Sequence, residues 1–226
     1  MSENKETRFD AFAENYRDVM QTGLGQFGDV DYYSMQKARL TCRWCAVQPG
    51  RVLDYGCGTG GNLAALCHVF PAAEVCGCDV SEKSLATAKA DHPAVNFFSV
   101  GDECMEKTFD LVFIANVLHH VLPQDRTQFM EQVCTHVRPG GEIFIFEHNP
   151  FNPVTKRIVD TCPLDEDAVL LMPRETTRLC SGVGLRIQAT RFTLFFPPRL
   201  KRLDVLERFL GWIPMGGQYM VQATKP

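Results

Sequence analysis

Residues 51–60, Arg-Val-Leu-Asp-Tyr-Gly-Cys-Gly-Thr-Gly, constrain the fold more than any other stretch of this chain. An apolar run through Val52 and Leu53 stops at Asp54, and Gly56, Gly58 and Gly60 then alternate with small residues. That order describes a buried strand ending in a tight turn, with a helix following from about Asn62 to Val69. Glycine lets the backbone bend sharply and approach a ligand. The turn also leaves free N–H groups at the carboxyl end of a strand, where open α/β sheets bind ligands. Alone, a Gly-x-Gly-x-Gly turn is as readily an ordinary connection as a site. Asp79 supplies context, because it ends a second apolar stretch, Val75 to Cys78, about 20 residues after the turn. At that distance the second strand of a βαβ unit delivers a carboxylate to a ribose diol. No Gly-Lys-Ser/Thr follows the turn, which excludes a P-loop.

The rest of the chain alternates in the same manner. Strands are expected at 51–55, 74–78, 95–99, 109–115 and 142–147, and helices at 62–69, 81–90 and 124–137. Ser81 is placed to cap the second of these helices, and Pro139-Gly140-Gly141 to end the third. Alternation of this kind argues a parallel sheet with helices on both faces. Before it, residues 7–20 carry Phe9, Phe12, Tyr16 and Val19 on one helical stripe, and a second helix is expected from about Asp31 to Val47. After Asn149 the pattern becomes irregular. A helix is expected near Val154 to Val159 and another from Pro173 to about Gly182. A strand follows from Leu185 to Phe196, then an amphipathic helix over 199–210 and a last strand from Gly217 to Thr224.

The chain resembles the class I S-adenosylmethionine (SAM) dependent methyltransferases. The resemblance rests on Val52-Leu53-Asp54-Tyr55-Gly56-Cys57-Gly58-Thr59-Gly60 and Cys78-Asp79-Val80-Ser81. It continues in Phe109-Asp110-Leu111-Val112 and Asn116-Val117-Leu118-His119-His120-Val121, and closes with Val137-Arg138-Pro139-Gly140-Gly141-Glu142. It implies a Rossmann-like α/β fold with a seven-stranded, mostly parallel sheet whose last strand runs antiparallel. It also implies an N-terminal helical lid over residues 1–48. The SAM-binding domain would span 49–226, with a substrate-side insert at about 149–184. Carried over residue by residue, Gly56, Gly58 and Gly60 lie along the methionine part of SAM, with Asp54 behind the carbonyl that accepts from its amino group. Asp79, followed by Val80, takes the ribose hydroxyls. Asp102 and Glu103 lie at the adenine, and Asn116 lines the pocket beside the sulfonium.

The catalytic candidates are His119, His120, Glu147 and Tyr16. A histidine titrates near neutral pH and can take a proton from a hydroxyl or amine. Glu147, His148 and Asn149 leave the end of the fifth parallel strand, toward the pocket. The faces of Tyr16, Tyr32 and Tyr33 can stabilise a sulfonium by cation–π attraction. Related quinone methyltransferases bind a metal through Glu-x-x-Glu-His; here the stretch reads Asn116-Val117-Leu118-His119-His120, so no metal is expected. The stretch around Glu147-His148-Asn149-Pro150 and Cys162-Pro163-Leu164-Asp165 resembles a bacterial specialised-metabolite and polysaccharide subgroup. The expected activity is methyl transfer to oxygen or nitrogen of a small molecule. The alternative is a SAM cyclase that forms azetidine-2-carboxylate and releases methylthioadenosine.

Net charge is −4 with scattered basic residues, which argues for a small-molecule partner and against nucleic acid. The densest basic stretch, Arg199, Lys201 and Arg202, reads as the solvated face of a helix. The ten cysteines fit reduced thiols in a cytoplasmic protein, and Cys42-x-x-Cys45 reads as structural because no second pair accompanies it. No run approaches the ~20 apolar residues needed to cross a membrane.

Overall fold

The computed structural model describes residues 10, 12, 15–25, 28–101 and 108–226. Its centre is one seven-stranded sheet, β1 (Arg51–Tyr55), β2 (Glu74–Asp79), β3 (Asn96–Ser99), β4 (Phe109–Ala115), β5 (Val137–His148), β6 (Arg186–Thr193) and β7 (Gln218–Thr224). The strand order is β3-β2-β1-β4-β5-β7-β6. The first five strands pair in parallel, and β7 runs antiparallel to both β5 and β6.

The central strands are apolar without alternation because both sheet faces are covered. Val52 and Leu53, adjacent in β1, point to opposite sides. Leu53 joins Val112, Ile114, Ile143 and Ile145 in a core that also takes Met130 and Val133 from α5 (Arg126–Thr135) and Cys180 from α7 (Pro173–Gly182). Val52 joins Leu111, Phe113, Phe144 and Phe146 against Ala38 of α2 (Val30–Trp44) and Leu63 and Leu66 of α3 (Leu63–Val69). The remaining helices are α1 (Tyr16–Leu24), α4 (Glu82–Asp91), α6 (Pro153–Thr161) and the short α8 (Glu207–Leu210). Among the described residues, no helix is long and apolar enough to cross a membrane.

Three expected boundaries differ, each for a local reason. β5 begins at Val137, not 142: Phe109 pairs with Val137 and Leu111 with Glu142, and the register shift absorbs Pro139-Gly140-Gly141 inside an extended segment. β6 ends at Thr193 because Leu194 adopts φ 60, a left-handed conformation that turns the chain out of the sheet. Residues 198–206 form 3₁₀ turns with a kink at Leu200, and only Glu207–Leu210 is α-helical. In the N-terminal region, α1 is described from Tyr16; the call on residues 7–20 falls partly outside the described residues, as do Asp102 and Glu103.

Candidate active site

From β1 the chain moves outward to β2 and β3, then returns to place β4 on the other side of β1. The turns after β1 and β4 therefore diverge at the carboxyl edge of the sheet, which is where such folds open a crevice. The two turns meet at Gly56. Its φ is +76, and a Cβ there would sit 2.6 Å from Val117 Cγ2. Gly56 and Cys57 both donate their N–H to the Cys78 carbonyl, at 2.8 and 2.9 Å, pinning the turn to β2. Gly58 has φ +53 and nothing within 4 Å of where a Cβ would be, so the turn faces open space at that point.

Asp79 ties this turn to the next helix. Its Oδ2 accepts from Gly58 N–H at 2.8 Å and its Oδ1 from Ser81 N–H at 2.9 Å. Ser81 caps α4 as the sequence indicates, accepting from Ser84 N–H at 3.1 Å. Burial raises the Asp79 pKa, while the N–H groups of Ser81 and Gly58 pull against it. Val80 lies exposed at the rim.

Asp54 is fully buried, and neither carboxylate oxygen has a hydrogen-bond partner. Burial lifts its pKa to about 7, with Lys37 pulling it down. Lys37 sits inside the protein on α2, where burial lowers its pKa to about 8 against the attraction of Asp54 and Glu147. Sequence reasoning missed Lys37. The signal was the stripe Ser34, Lys37 and Thr41, at helical spacing, all three buried.

On the β4 side, Asn116 takes φ 61, a conformation asparagine tolerates better than most residues. Its N–H donates to the Phe146 carbonyl at 2.9 Å, and its Oδ1 accepts from Gln218 Nε2 at 2.8 Å. A 3₁₀ turn, Leu118–His120, follows. Glu147, buried at the end of β5, accepts from the N–H groups of Val117 and Leu118 at 3.1 and 2.8 Å and lies 2.6 Å from His119 Nδ1. On the other side, Asp165 Oδ1 is 3.4 Å from His119 Nε2 and 3.5 Å from His120 Nε2. Burial opposes a charge on His119, but Glu147 and Asp165 outweigh it and hold its pKa up at about 9. Asp165 goes down to about 2, because the surrounding histidines, His119 first, more than offset its burial. His148, its ring 4.9 Å from that of His119, is pushed down to about 4 by burial and then by His119.

The structure thus brings His119, His120 and Glu147 together and adds His148 and Asp165. Glu147 is spent on two backbone N–H groups and one imidazole, which makes it a holder of His119. Asn149 is also structural: its Nδ2 donates to the carbonyls of Pro214 and Gly216, and Asn152 caps α6 instead. Tyr16 of α1 reaches the crevice, its pKa raised by burial first and then by Asp165 and Asp79. Tyr32 does not serve there, since its hydroxyl donates to Asp204 Oδ1 at 2.7 Å. Cys45 Sγ lies 3.0 Å from Glu142 Oε2, a packing role that fits the structural reading of Cys42-x-x-Cys45.

His119, His120 and Asp165 are the donor set in which a metal could be sought, their ligand atoms all lying within 4.8 Å of one another. Asp165 follows His119 by 46 positions, so no local spacing pattern announces the cluster.

Comparison with known proteins agrees with this geometry. Residues 52–141 match the family described as a methyltransferase domain. The fold matches a SAM-dependent methyltransferase from Archaeoglobus fulgidus with a TM-score of 0.65 at 18% identity, covering 88% of this chain and 95% of that one. Residues 52–141 thus match a methyltransferase domain, and the fold is that of SAM-dependent methyltransferases. A ribosomal protein L11 methyltransferase from Ralstonia pickettii is 37% identical over 114 residues, 47% of this chain and 36% of that protein. A trans-aconitate 2-methyltransferase from Deinococcus radiodurans is 36% identical over 96 residues, 42% of this chain and 36% of that protein. The matched segment thus spans about a third of each relative's length. The SAM cofactor of this family fits the site: the open face of Gly58 admits a ligand against backbone, and the orphaned Asp54 carboxylate lacks a partner. Asp54, Gly56, Gly58, Gly60 and Asp79 are the residues that would hold it.

Proposed function

We propose that this methyltransferase acts on oxygen or nitrogen of a small-molecule acceptor, held between α1 and the cluster of His119, His120, His148 and Asp165. The observation that carries the reading is that cluster. It gathers buried, proton-carrying groups beside the glycine turn, with the buried Tyr16 hydroxyl within electrostatic reach of Asp165 and Asp79. SAM supplies an electrophilic methyl group on a positive sulfur, so what remains for the chain is to bind, align, exclude water and remove one proton. Asp54, Asp79 and the turn hold the cofactor. Tyr16 and α1 are assigned as the cover of the crevice. His119, raised to about 9, is protonated at neutral pH and serves as a fixed positive partner for Glu147 and Asp165. His120, oriented by Asp165, is the group we assign as proton acceptor.

A second reading rests on Lys37. A buried cation beside Asp54 disfavours a second ammonium nearby, so an amine placed there is held neutral. A neutral α-amine of SAM could attack its own γ-carbon. The N–C bond forms, the C–S bond breaks, the amine proton leaves, and azetidine-2-carboxylate and methylthioadenosine result. Incubation with SAM, with and without a panel of hydroxyl and amine acceptors, followed by mass spectrometry, separates the two. Adenosylhomocysteine formed only with acceptor supports methyl transfer. Methylthioadenosine formed from SAM alone would replace that reading with the cyclase.

A further inference from the structure

Residues 198–215 carry an exposed surface that the active site does not use. Within this short stretch Leu200, Leu203, Leu206, Val205 (66% exposed), Phe209 (61%) and Trp212 (79%) all face solvent. Scattered exposed apolar residues need no explanation, but a contiguous set of this size on one segment marks an interface. Its conformation arranges them. Past the kink at Leu200, residues three apart in the 3₁₀ turns share a face, so Leu203 and Leu206 form one row and Arg202 and Val205 the next. The third row points inward: Asp204 accepts from Tyr32 and Gln36, both at 2.7 Å, and Glu207 from Phe195 N–H at 2.7 Å. Both acidic side chains are therefore used to fasten the segment to α2 and to the end of β6. The charges left outside, Arg199, Lys201, Arg202 and Arg208, are all positive.

A cavity of about 270 Å³ opens beside this segment, lined by Arg39, Arg43, Arg191 and Arg208 and also by Asp204 and Glu207, whose carboxylates already accept hydrogen bonds from Tyr32, Gln36 and Phe195. Arg191 is stacked on Trp44, 3.9 Å from the ring centroid, which fixes one guanidinium at the cavity wall. Four guanidiniums against two carboxylates that are already hydrogen-bonded leave the hollow with net positive charge, which suits an anionic head group. We propose that residues 198–215 form a peripheral docking surface for an anionic phospholipid bilayer. Leucine, phenylalanine and tryptophan side chains enter the head-group boundary, and the arginine-lined cavity receives a lipid phosphate. Amphipathic segments with basic residues beside large apolar ones bind in this manner, by buried apolar area plus attraction to anionic lipid. With a net charge of −4, the chain's bulk charge opposes such attraction, so binding is expected to depend on this local positive face.

The test uses the whole protein and vesicles of phosphatidylcholine, with or without phosphatidylglycerol. The chain has two tryptophans, Trp44 and Trp212, so fluorescence reports the surface almost directly. The expected result is co-sedimentation with the anionic vesicles only, weakened by salt and accompanied by a blue shift of emission. Trp212→Ser should abolish the blue shift, and the pair Phe209→Ser with Trp212→Ser should weaken binding at least tenfold. Arg199→Ala with Arg202→Ala should weaken it without removing the shift at saturating lipid. All these positions are exposed, so the variants are expected to fold, with circular dichroism as the check. Three results would overturn the proposal: equal binding to neutral vesicles, no binding to either, or a stable dimer whose formation the Phe209 and Trp212 changes abolish. Inorganic phosphate alone shifting the protein's melting temperature, with no vesicle binding, would also reject it, because the cavity would then be a site for a free anion.

Discussion

Glu147→Gln tests the electrostatic core of the site. The carboxylate accepts two backbone N–H groups through Oε1 and lies against His119 through Oε2. Glutamine keeps the shape and can keep the first two contacts through its carbonyl oxygen, but it presents an NH₂ group to His119 Nδ1. His119 then loses its main attractive partner while staying buried, and its pKa must fall. The native rise from 6.5 to about 9 corresponds to roughly 3 kcal/mol, at about 1.4 kcal/mol per tenfold change. Breaking a buried pair by removing one partner costs a similar 3–5 kcal/mol or so. A group whose folded pKa is raised contributes stability that is complete below its unfolded pKa and is lost as pH rises through the folded value. The variant should therefore be about 3 kcal/mol less stable than wild type at pH 6, with the gap closing as pH passes about 9. Urea denaturation at both ends of this range, on chelator-treated protein, measures it. A gap below about 1 kcal/mol at pH 6, or one that is constant with pH, would refute the charged His119–Glu147 assignment.

Other expectations follow from single contacts. Gly56→Ala should lower the melting temperature by about 5 °C. It combines a left-handed φ with a Cβ 2.6 Å from Val117 Cγ2, a cost of ~2 kcal/mol in a chain of this size; an unchanged melting temperature would mean that the two turns do not meet there. Tyr16→Phe should leave the fold intact and lower turnover more than SAM affinity, because the buried hydroxyl lies within electrostatic reach of Asp165 and Asp79; unaltered kinetics would remove Tyr16 from the site. Dialysis against a chelator should leave turnover unchanged, and loss restored by added Zn²⁺ or Mg²⁺ would make His119, His120 and Asp165 metal ligands instead.

The parts of this fold that could be read from the chain were those with local grammar. The run Arg51–Tyr55 followed by alternating glycines, and Phe109–Ala115 followed by Asn116, gave strand and turn together because the backbone chemistry lies within the same few residues. Ser81 could be read as a cap for the same reason. What stayed hidden was assembled across the sheet. Asp165 joins His119 only because the turn before α7 folds back over the β4 edge, and Lys37 reaches Asp54 only because α2 packs on the same sheet face as α3. Glu147 was found by its position at a strand end, but its role as a holder depended on the Val117 and Leu118 N–H groups, which no side-chain pattern announces. The 3₁₀ form of 198–206 was equally invisible, since it depends on where Asp204 is fastened. Arg199, Lys201 and Arg202, read from sequence as a solvated face, acquire a different meaning beside the exposed Phe209 and Trp212.

Calorimetric titration of SAM into wild type and into Asp79→Ala tests most directly the claim that the crevice between the β1 and β4 turns is a SAM site. Wild type should bind one SAM per chain. The variant should lose about tenfold to a hundredfold in affinity, the value of one or two charge-assisted hydrogen bonds, while keeping its far-ultraviolet circular dichroism. SAM binding of equal strength in the two proteins would contradict the account, and so would no binding to wild type.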